Sequence, residues 1–227
     1  MTFSVADDRI VRLAFVAAVS IAAAAVFATL SLKAPEYFFR TQPAALQGGA
    51  ETLYYIRDGR GVPGYDPSDP ELARLALDAW SRESGGKLKF TPARSESEAL
   101  LRLHWISANQ GRFGEMQRID VDGKPGAIVF VSPATDGLSA ALADMASRDR
   151  LLRDAIVYLT CVHEIGHAVG LPHTRDFEDI MYSFGYGGDI TAYFMRYRKR
   201  LKSRDDIRLF SGLSPNDVTA LRMLFLN

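Results

Sequence analysis

The sequence predicts an α+β fold: a small, mixed, twisted sheet packed against helices, closed by a C-terminal helix and preceded by a hydrophobic helix at the N-terminus. Three observations predict it. Short runs that alternate apolar and polar residues are interleaved, from residue 51 onward, with runs whose apolar residues recur at helical spacing. One helical run carries His163, Glu164, His167, Gly170 and His173, which spell H-E-x-x-H-x-x-G-x-x-H. Ahead of both, residues 13–32 form an uncharged, mostly apolar stretch.

That stretch follows Arg9 and Arg12 and is long enough to cross a bilayer as a helix. It also suits the apolar core of a signal peptide, with Val26-Phe27-Ala28 as a small-residue cleavage site. Both readings send the chain into export, either membrane-anchored through residues 13–32 with an extracytoplasmic catalytic domain, or secreted after cleavage. Pro35, Pro43 and Gln47-Gly48-Gly49 mark residues 34–50 as a linker. The expected organisation is therefore 1–33 anchor or signal, 34–50 linker and 51–227 folded domain. Net charge is zero and gives no indication of nucleic-acid binding, and a single cysteine excludes an intramolecular disulfide framework.

Within the domain, Leu53, Tyr54, Tyr55 and Ile56 give residues 51–57 strand character, and the Gly-, Pro- and Asp-rich stretch 59–70 is a loop. From Pro70, Leu72, Leu75, Ala76, Ala79 and Trp80 define the apolar face of a helix that Gly85-Gly86 stops. Residues 87–90 and 101–106 are strands. In the second, Leu101, Leu103 and Trp105 alternate with Arg102 and His104, which directs His104 away from the core. Residues 109–126 read as a polar, glycine-bearing loop. In it Asp120-Val121-Asp122-Gly123 is a turn, with oxygen ligation of Ca²⁺ as its second reading. Residues 127–131 are a compact apolar strand. A helix over 148–169 follows, with Leu152, Ile156, Leu159, Val162 and Val169 facing the core and Cys161 buried among them. The last helix, 214–225, has Ser214 at N-cap, Pro215 at N1 and Asp217 at N3, with Val218, Leu221 and Leu224 as its apolar stripe.

The motif in the 148–169 helix carries chemistry. Residues four apart share a helix face, so His163 and His167 present two imidazoles to one point. Gly170, without a Cβ, can end the helix in a left-handed conformation and swing His173 back toward them. Three neutral imidazoles leave a fourth position for water, the arrangement of a catalytic rather than a structural zinc. Glu164, beside the first ligand, can reach that water as general base.

VHEIGHAVGLPH resembles the zinc-binding signature of the metzincin metallopeptidases, and within them the matrixin branch. AWSRESGGKLKFTP, EALLRLHWI and GLSPNDVTALRMLF resemble that family's first helix and second strand, its next strand and its closing helix, so the likeness spans roughly residues 50–227. The resemblance implies a zinc-dependent endopeptidase holding one catalytic Zn²⁺ and acting on a peptide or protein. It also implies a methionine turn beneath the metal, where Asp179-Ile180-Met181-Tyr182 stands. An extended substrate is expected to pair with an edge strand at 126–131 through Ala127, Ile128, Val129 and Phe130, with Tyr182 and Tyr186 as further substrate contacts. One of Tyr182, Tyr186, Tyr193 and Tyr197 is a candidate hydrogen-bond donor to the transition state. Departures from the family pattern accompany the likeness. Only His104 remains outside the motif for a second zinc, no cysteine-bearing propeptide motif precedes the domain, and the segment 187–212 is longer than expected. The basic run Arg196, Arg198, Lys199, Arg200, Lys202 and Arg204 reads as a solvated helix face, with anionic headgroups or an acidic partner as the second reading. The alternative function is a membrane-tethered, zinc-containing module that binds protein without cleaving it.

Overall fold

Strand order is what places the site in this fold. A computed structural model of the protein describes residues 46, 51–108 and 113–226. The apolar run 13–32 and nearly all of the expected linker lie outside those residues. Among the described residues no helix is long and apolar enough to cross a membrane. Strands β1 (Glu51–Ile56), β2 (Lys89–Pro92), β3 (Leu101–Trp105), β4 (Gly114–Val121) and β5 (Lys124–Val131) form one sheet in the order β2-β1-β3-β5-β4. All neighbours are parallel except β4 and β5, so β4 is an antiparallel edge.

The stretch expected as a loop over 109–126 thus holds a hairpin. Its turn is Asp122-Gly123, with φ of 52° and 77°, and Asp120 Oδ1 accepts from the Gly123 N–H at 2.8 Å. One carboxylate oxygen of Asp120 is thus engaged in closing the hairpin. Among the described residues, the metal-ligating side chains that converge in a group of three or more are the histidine triad, and Asp120 and Asp122 belong to no such group. Polar residues on both faces of β4 are what concealed the strand: an edge with little burial shows no clean alternation.

One sheet face is the core. Leu101, Leu103 and Trp105 of β3 and Ala127, Val129 and Val131 of β5 alternate inward, as the pleat requires. Helices α1 (Asp69–Glu83) and α3 (Arg150–Val169) pack on that face, preceded in α3's case by the short α2 (Ala140–Arg148). Trp80 is fully buried, and its indole Nε1–H donates to the Val162 carbonyl at 2.9 Å, linking α1 to the middle of α3. The helix expected to begin at 148 begins instead after Asp149, whose extended backbone separates α2 from α3 and whose Oδ1 caps the Leu152 N–H at 3.0 Å. Leu46, assigned from sequence to the linker, is buried and its N–H bonds to the Ala168 carbonyl at the end of α3. Domain packing therefore extends upstream of residue 51.

On the other sheet face His104 is covered rather than exposed. Its ring meets Phe130 edge-on and its Nε2 lies 2.7 Å from Glu96, which Arg57 also grips. Helix α4 (Ile190–Arg198) and helix α5 (Pro215–Met223) complete the described chain. The basic run is not a uniform solvated face. Arg198 pairs with Asp149 at 2.8 Å and Arg204 with the buried Asp154 at 2.6 Å, while Arg196 donates to the carbonyls of Phe177 and Glu178. Only Lys199, Arg200 and Lys202 of that run are exposed. In α5 the expected stripe narrows to Leu221, which is buried, because Leu224 is exposed and Val218 half-buried.

Candidate metal and catalytic site

Helix α3 ends as the motif predicts. Gly170 has φ of 109°, its N–H bonds back to His167, and the Leu171 N–H bonds to the Gly166 carbonyl at 2.9 Å. This turn sends the chain round so that His173 faces the helix. Its Nε2 lies 3.2 Å from His163 Nε2 and 3.1 Å from His167 Nε2. Thr174 then pairs with Tyr182, and the Thr174 N–H bonds to the Met181 carbonyl at 2.9 Å, so the third imidazole is anchored to the methionine turn.

The other ring nitrogens fix the tautomers. His163 Nδ1 lies 2.7 Å from the Ile180 carbonyl and His167 Nδ1 2.9 Å from the Leu171 carbonyl. A carbonyl can only accept, so both Nδ1 atoms carry the proton and both Nε2 atoms offer a lone pair. Burial, reinforced by the neighbouring His167 and His173, holds His163 down at about 3, and burial followed by His167 holds His173 at about 4. Burial also lowers His167, against the opposing pull of its hydrogen bond to Leu171. All three are neutral at physiological pH. Neutral imidazoles that turn lone pairs toward one point are stable around a cation. Nitrogen ligands about 2.0–2.1 Å from a tetrahedral zinc stand about 3.3 Å apart, close to the separations here. The donor set therefore fits zinc.

Beneath the triad, Met181 is 1% exposed. A Cβ on Gly166 would overlap its Sδ and crowd Trp80 Cζ2, so glycine at this position lets the turn pack close against the helix. Asp217, at N3 of α5, supports the same turn. Its Oδ2 accepts from the N–H groups of Ile180 at 2.7 Å and Ser214 at 2.8 Å, and Ser214 Oγ donates to Asp179 at 2.6 Å. The residue that reads in sequence as a simple cap is thus a brace under the carbonyl that orients His163.

Glu164 is buried, and the edge strand reaches it. A Cβ on Gly114, at the start of β4, would land on the Glu164 carboxylate, so glycine alone leaves space for it there. Burial pushes the Glu164 carboxyl up to about 8, with Glu115 adding to the rise. Sequence reasoning missed Gly114, and the signal that could have found it was the Asp122-Gly123 hairpin turn.

The expected substrate strand needs correction. Ala127, Ile128, Val129 and Phe130 belong to β5, which is paired on one side to β3 and on the other to β4, so its backbone has no open edge. Ala127 and Val129 are also fully buried. The edges of the sheet are β2 and β4, and β4 is the one that reaches Glu164. Of the tyrosines, Tyr182 is buried with its hydroxyl on the Gly187 carbonyl, Tyr193 donates to Asp179 and Ile180, and Tyr197 donates to Phe210. Tyr186 is half-buried under the Arg175 guanidinium, 4.9 Å from its ring centre. Cys161 is fully buried and burial raises its thiol well above the usual range, so it is inert packing.

A sequence model of the matrixin family, peptidase M10, matches residues 66–206, more than half of the chain. No curated protein matches. Among solved structures, the crystal structure of archaemetzincin from Methanopyrus kandleri is similar at 16% identity and a TM-score of 0.42. The match covers 86% of this chain and 100% of that one.

Proposed function

Because the chain belongs to the matrixin family and so is a zinc metallopeptidase, we propose that it is an endopeptidase in which His163, His167 and His173 hold one zinc and Glu164 is the general base. The observation that carries this reading is the convergence of three Nε2 atoms, with the two helical imidazoles already oriented by carbonyls, beside a buried carboxyl. When bound, zinc supplies Lewis acidity, polarising the scissile carbonyl and lowering the pKa of a coordinated water toward neutrality.

The chain's own residues do the rest. Glu164, ionised beside the cation, takes a proton from the attacking water and returns it to the nitrogen of the leaving amine. The peptide lies along the open edge of β4, whose unpaired main-chain groups would hold an extended chain in one register irrespective of its sequence. Gly114 at the head of that strand leaves the carboxylate its place next to the bond to be cut.

The same proposal includes tethering. The apolar run 13–32 would anchor the enzyme with its catalytic domain on the extracytoplasmic side, and deleting it should move the protein from the membrane to the soluble fraction. For the chemistry, Glu164→Gln should keep one zinc per chain and the same thermal transition while peptide cleavage falls at least about a hundredfold. Cleavage at the wild-type rate would remove Glu164 from the mechanism. A non-catalytic binding module would lose nothing when Glu164 is changed, and would hold its partner in the presence of a chelator.

A further inference from the structure

We propose that the protein docks onto a bilayer of anionic lipid through the surface that carries Leu209, Met223, Leu224 and Leu226. These are four of the five large apolar side chains that stand exposed among the described residues, with Leu209 at 72%, Met223 at 62% and Leu226 at 79%. Apolar side chains scattered singly over a surface need no explanation, but these are gathered. Met223, Leu224 and Leu226 lie at and just beyond the end of α5, where Arg222 Nε donates to the Glu83 carbonyl at 3.4 Å. One residue earlier on α1, Arg82 Nη1 donates at 3.2 Å to the carbonyl of Arg208, which precedes Leu209. Both apolar segments are thus held to the end of α1.

The surroundings select the occupant. Arg82, Lys87 and Arg222 are exposed around the apolar residues, and the acidic Glu83 is paired to Arg82 at 3.4 Å. Aliphatic side chains projecting from a basic rim suit a lipid headgroup layer, where the apolar tips enter the acyl boundary and the cations meet phosphates. No pocket is required, because a bilayer moulds itself to side chains that project into it.

The path of the chain agrees. Asp69 at the start of α1 binds Arg153, and Trp80 binds Val162, so α1 and α3 run in the same direction. Leu46, bonded to Ala168 at the end of α3, therefore enters at the end of the helix pair that carries the apolar surface. Residues 33–45, even fully extended, span at most about 45 Å, so an anchor at 13–32 would keep this end near the bilayer. That step rests on the tethering reading; the docking surface itself does not. A surface of this kind binds reversibly, and a second membrane signal makes attachment stable.

The test places a polarity-sensitive fluorophore on Thr219→Cys of the full-length protein, one helical turn before Met223 on the same face. The native Cys161 is buried and does not compete for the label. On vesicles of phosphatidylglycerol and phosphatidylcholine in equal parts the emission should shift to the blue. The ratio of docked to undocked protein read from that shift should be about tenfold higher than on phosphatidylcholine alone. Met223→Glu combined with Leu226→Glu should lower the ratio at least about a hundredfold, with an unchanged thermal transition because both side chains are exposed. The same label on Arg148→Cys, exposed at the opposite end of the 20-residue helix α3 and so about 30 Å away, should not respond. Tethering is read separately, by whether the protein stays with the vesicles in about 1 M salt, which screens the headgroup contacts. A silent label at Thr219→Cys on vesicle-bound protein overturns docking and leaves tethering standing. A shift that survives the two glutamates, or an equal shift at Arg148→Cys, overturns docking as well. So does a shift that needs no lipid and grows with protein concentration, which would make a second copy the occupant.

Discussion

Helix α3 and the edge strand β4 meet at Glu164 and contribute to the site in opposite ways. The helix acts through side chains it possesses: two imidazoles on one face, and a carboxyl between them. The strand acts through a side chain it lacks, since Gly114 is needed only because any Cβ there would displace the carboxylate. Functional groups delivered by a periodic element leave a trace in that element's own sequence. A space kept open by one element for another leaves its trace only in three dimensions.

Breaking the helical side should have the largest effect. His173→Ala removes one of three ligands, and zinc content should fall from one per chain to near zero, with cleavage abolished. Chelation of the wild-type protein should do the same and lower its thermal transition, because metal that binds only the folded state stabilises it. Zinc retained at full stoichiometry in His173→Ala would show that the convergence of the three Nε2 atoms is not the metal site.

The strand side is broken more gently by Gly114→Ala. The backbone of Gly114 is not in the left-handed region, so alanine meets no conformational penalty and the only conflict is with the Glu164 carboxylate. Displacing a general base by part of an ångström should lower kcat about ten- to a hundredfold while zinc content stays at one per chain. An unchanged kcat would mean that the carboxylate works from another position.

What could be read beforehand follows the same division. His163, Glu164, His167 and Gly170 were legible because helix period and glycine's left-handed freedom translate spacing into direction, and the φ of 109° at Gly170 bears that out. The order of strands and helices was legible as far as the buried elements went, since Leu103, Val129 and Leu152 carry strong periodic signals. The edge strand was not, because β4 buries little and alternates weakly, and the stretch from 109 to 126 looked like a loop. Mistaking it moved the open edge one strand inward, onto Ala127 to Phe130. The basic run misled for a related reason: charge in a sequence does not say which carboxylates wait for it elsewhere, and Asp149 and Asp154 lie far along the chain from Arg198 and Arg204.

Asp217 tests whether support of the helical side extends to the C-terminal helix. Its carboxylate accepts from the N–H groups of Ile180 and Ser214, and it is 2% exposed. Its other oxygen, Oδ1, faces the Met181 N–H at 3.4 Å, so in Asp217→Asn the amide NH₂ meets a backbone donor whichever way it turns, and at least one buried N–H loses its partner. Loss of a buried hydrogen bond to a charged group corresponds to about 1.5–3 kcal/mol, measurable by denaturant titration. Because the Ile180 carbonyl orients His163, zinc should also dissociate faster from this variant. A variant that unfolds earlier but releases zinc at the wild-type rate would confine Asp217 to capping α5.

The smallest effect is expected at Gly166, where two contributions oppose each other. Alanine in a helix interior is worth about 1 kcal/mol over glycine. Against that, its Cβ would overlap Met181 Sδ and approach Trp80 Cζ2 to 2.9 Å, and overpacking of this kind costs about 1–3 kcal/mol. The net expectation for Gly166→Ala is a loss of about 1 kcal/mol with zinc content unchanged, since neither ligand moves along the helix. The source of that loss can be isolated by combining the change with Met181→Val, which withdraws the thioether from the contact. Once Met181→Val is in place, Gly166→Ala should be harmless or stabilising, a coupling that a double-mutant cycle reads directly. If Gly166→Ala is equally destabilising with and without Met181→Val, the conflict lies with Trp80 and the α1 packing rather than with the floor of the site.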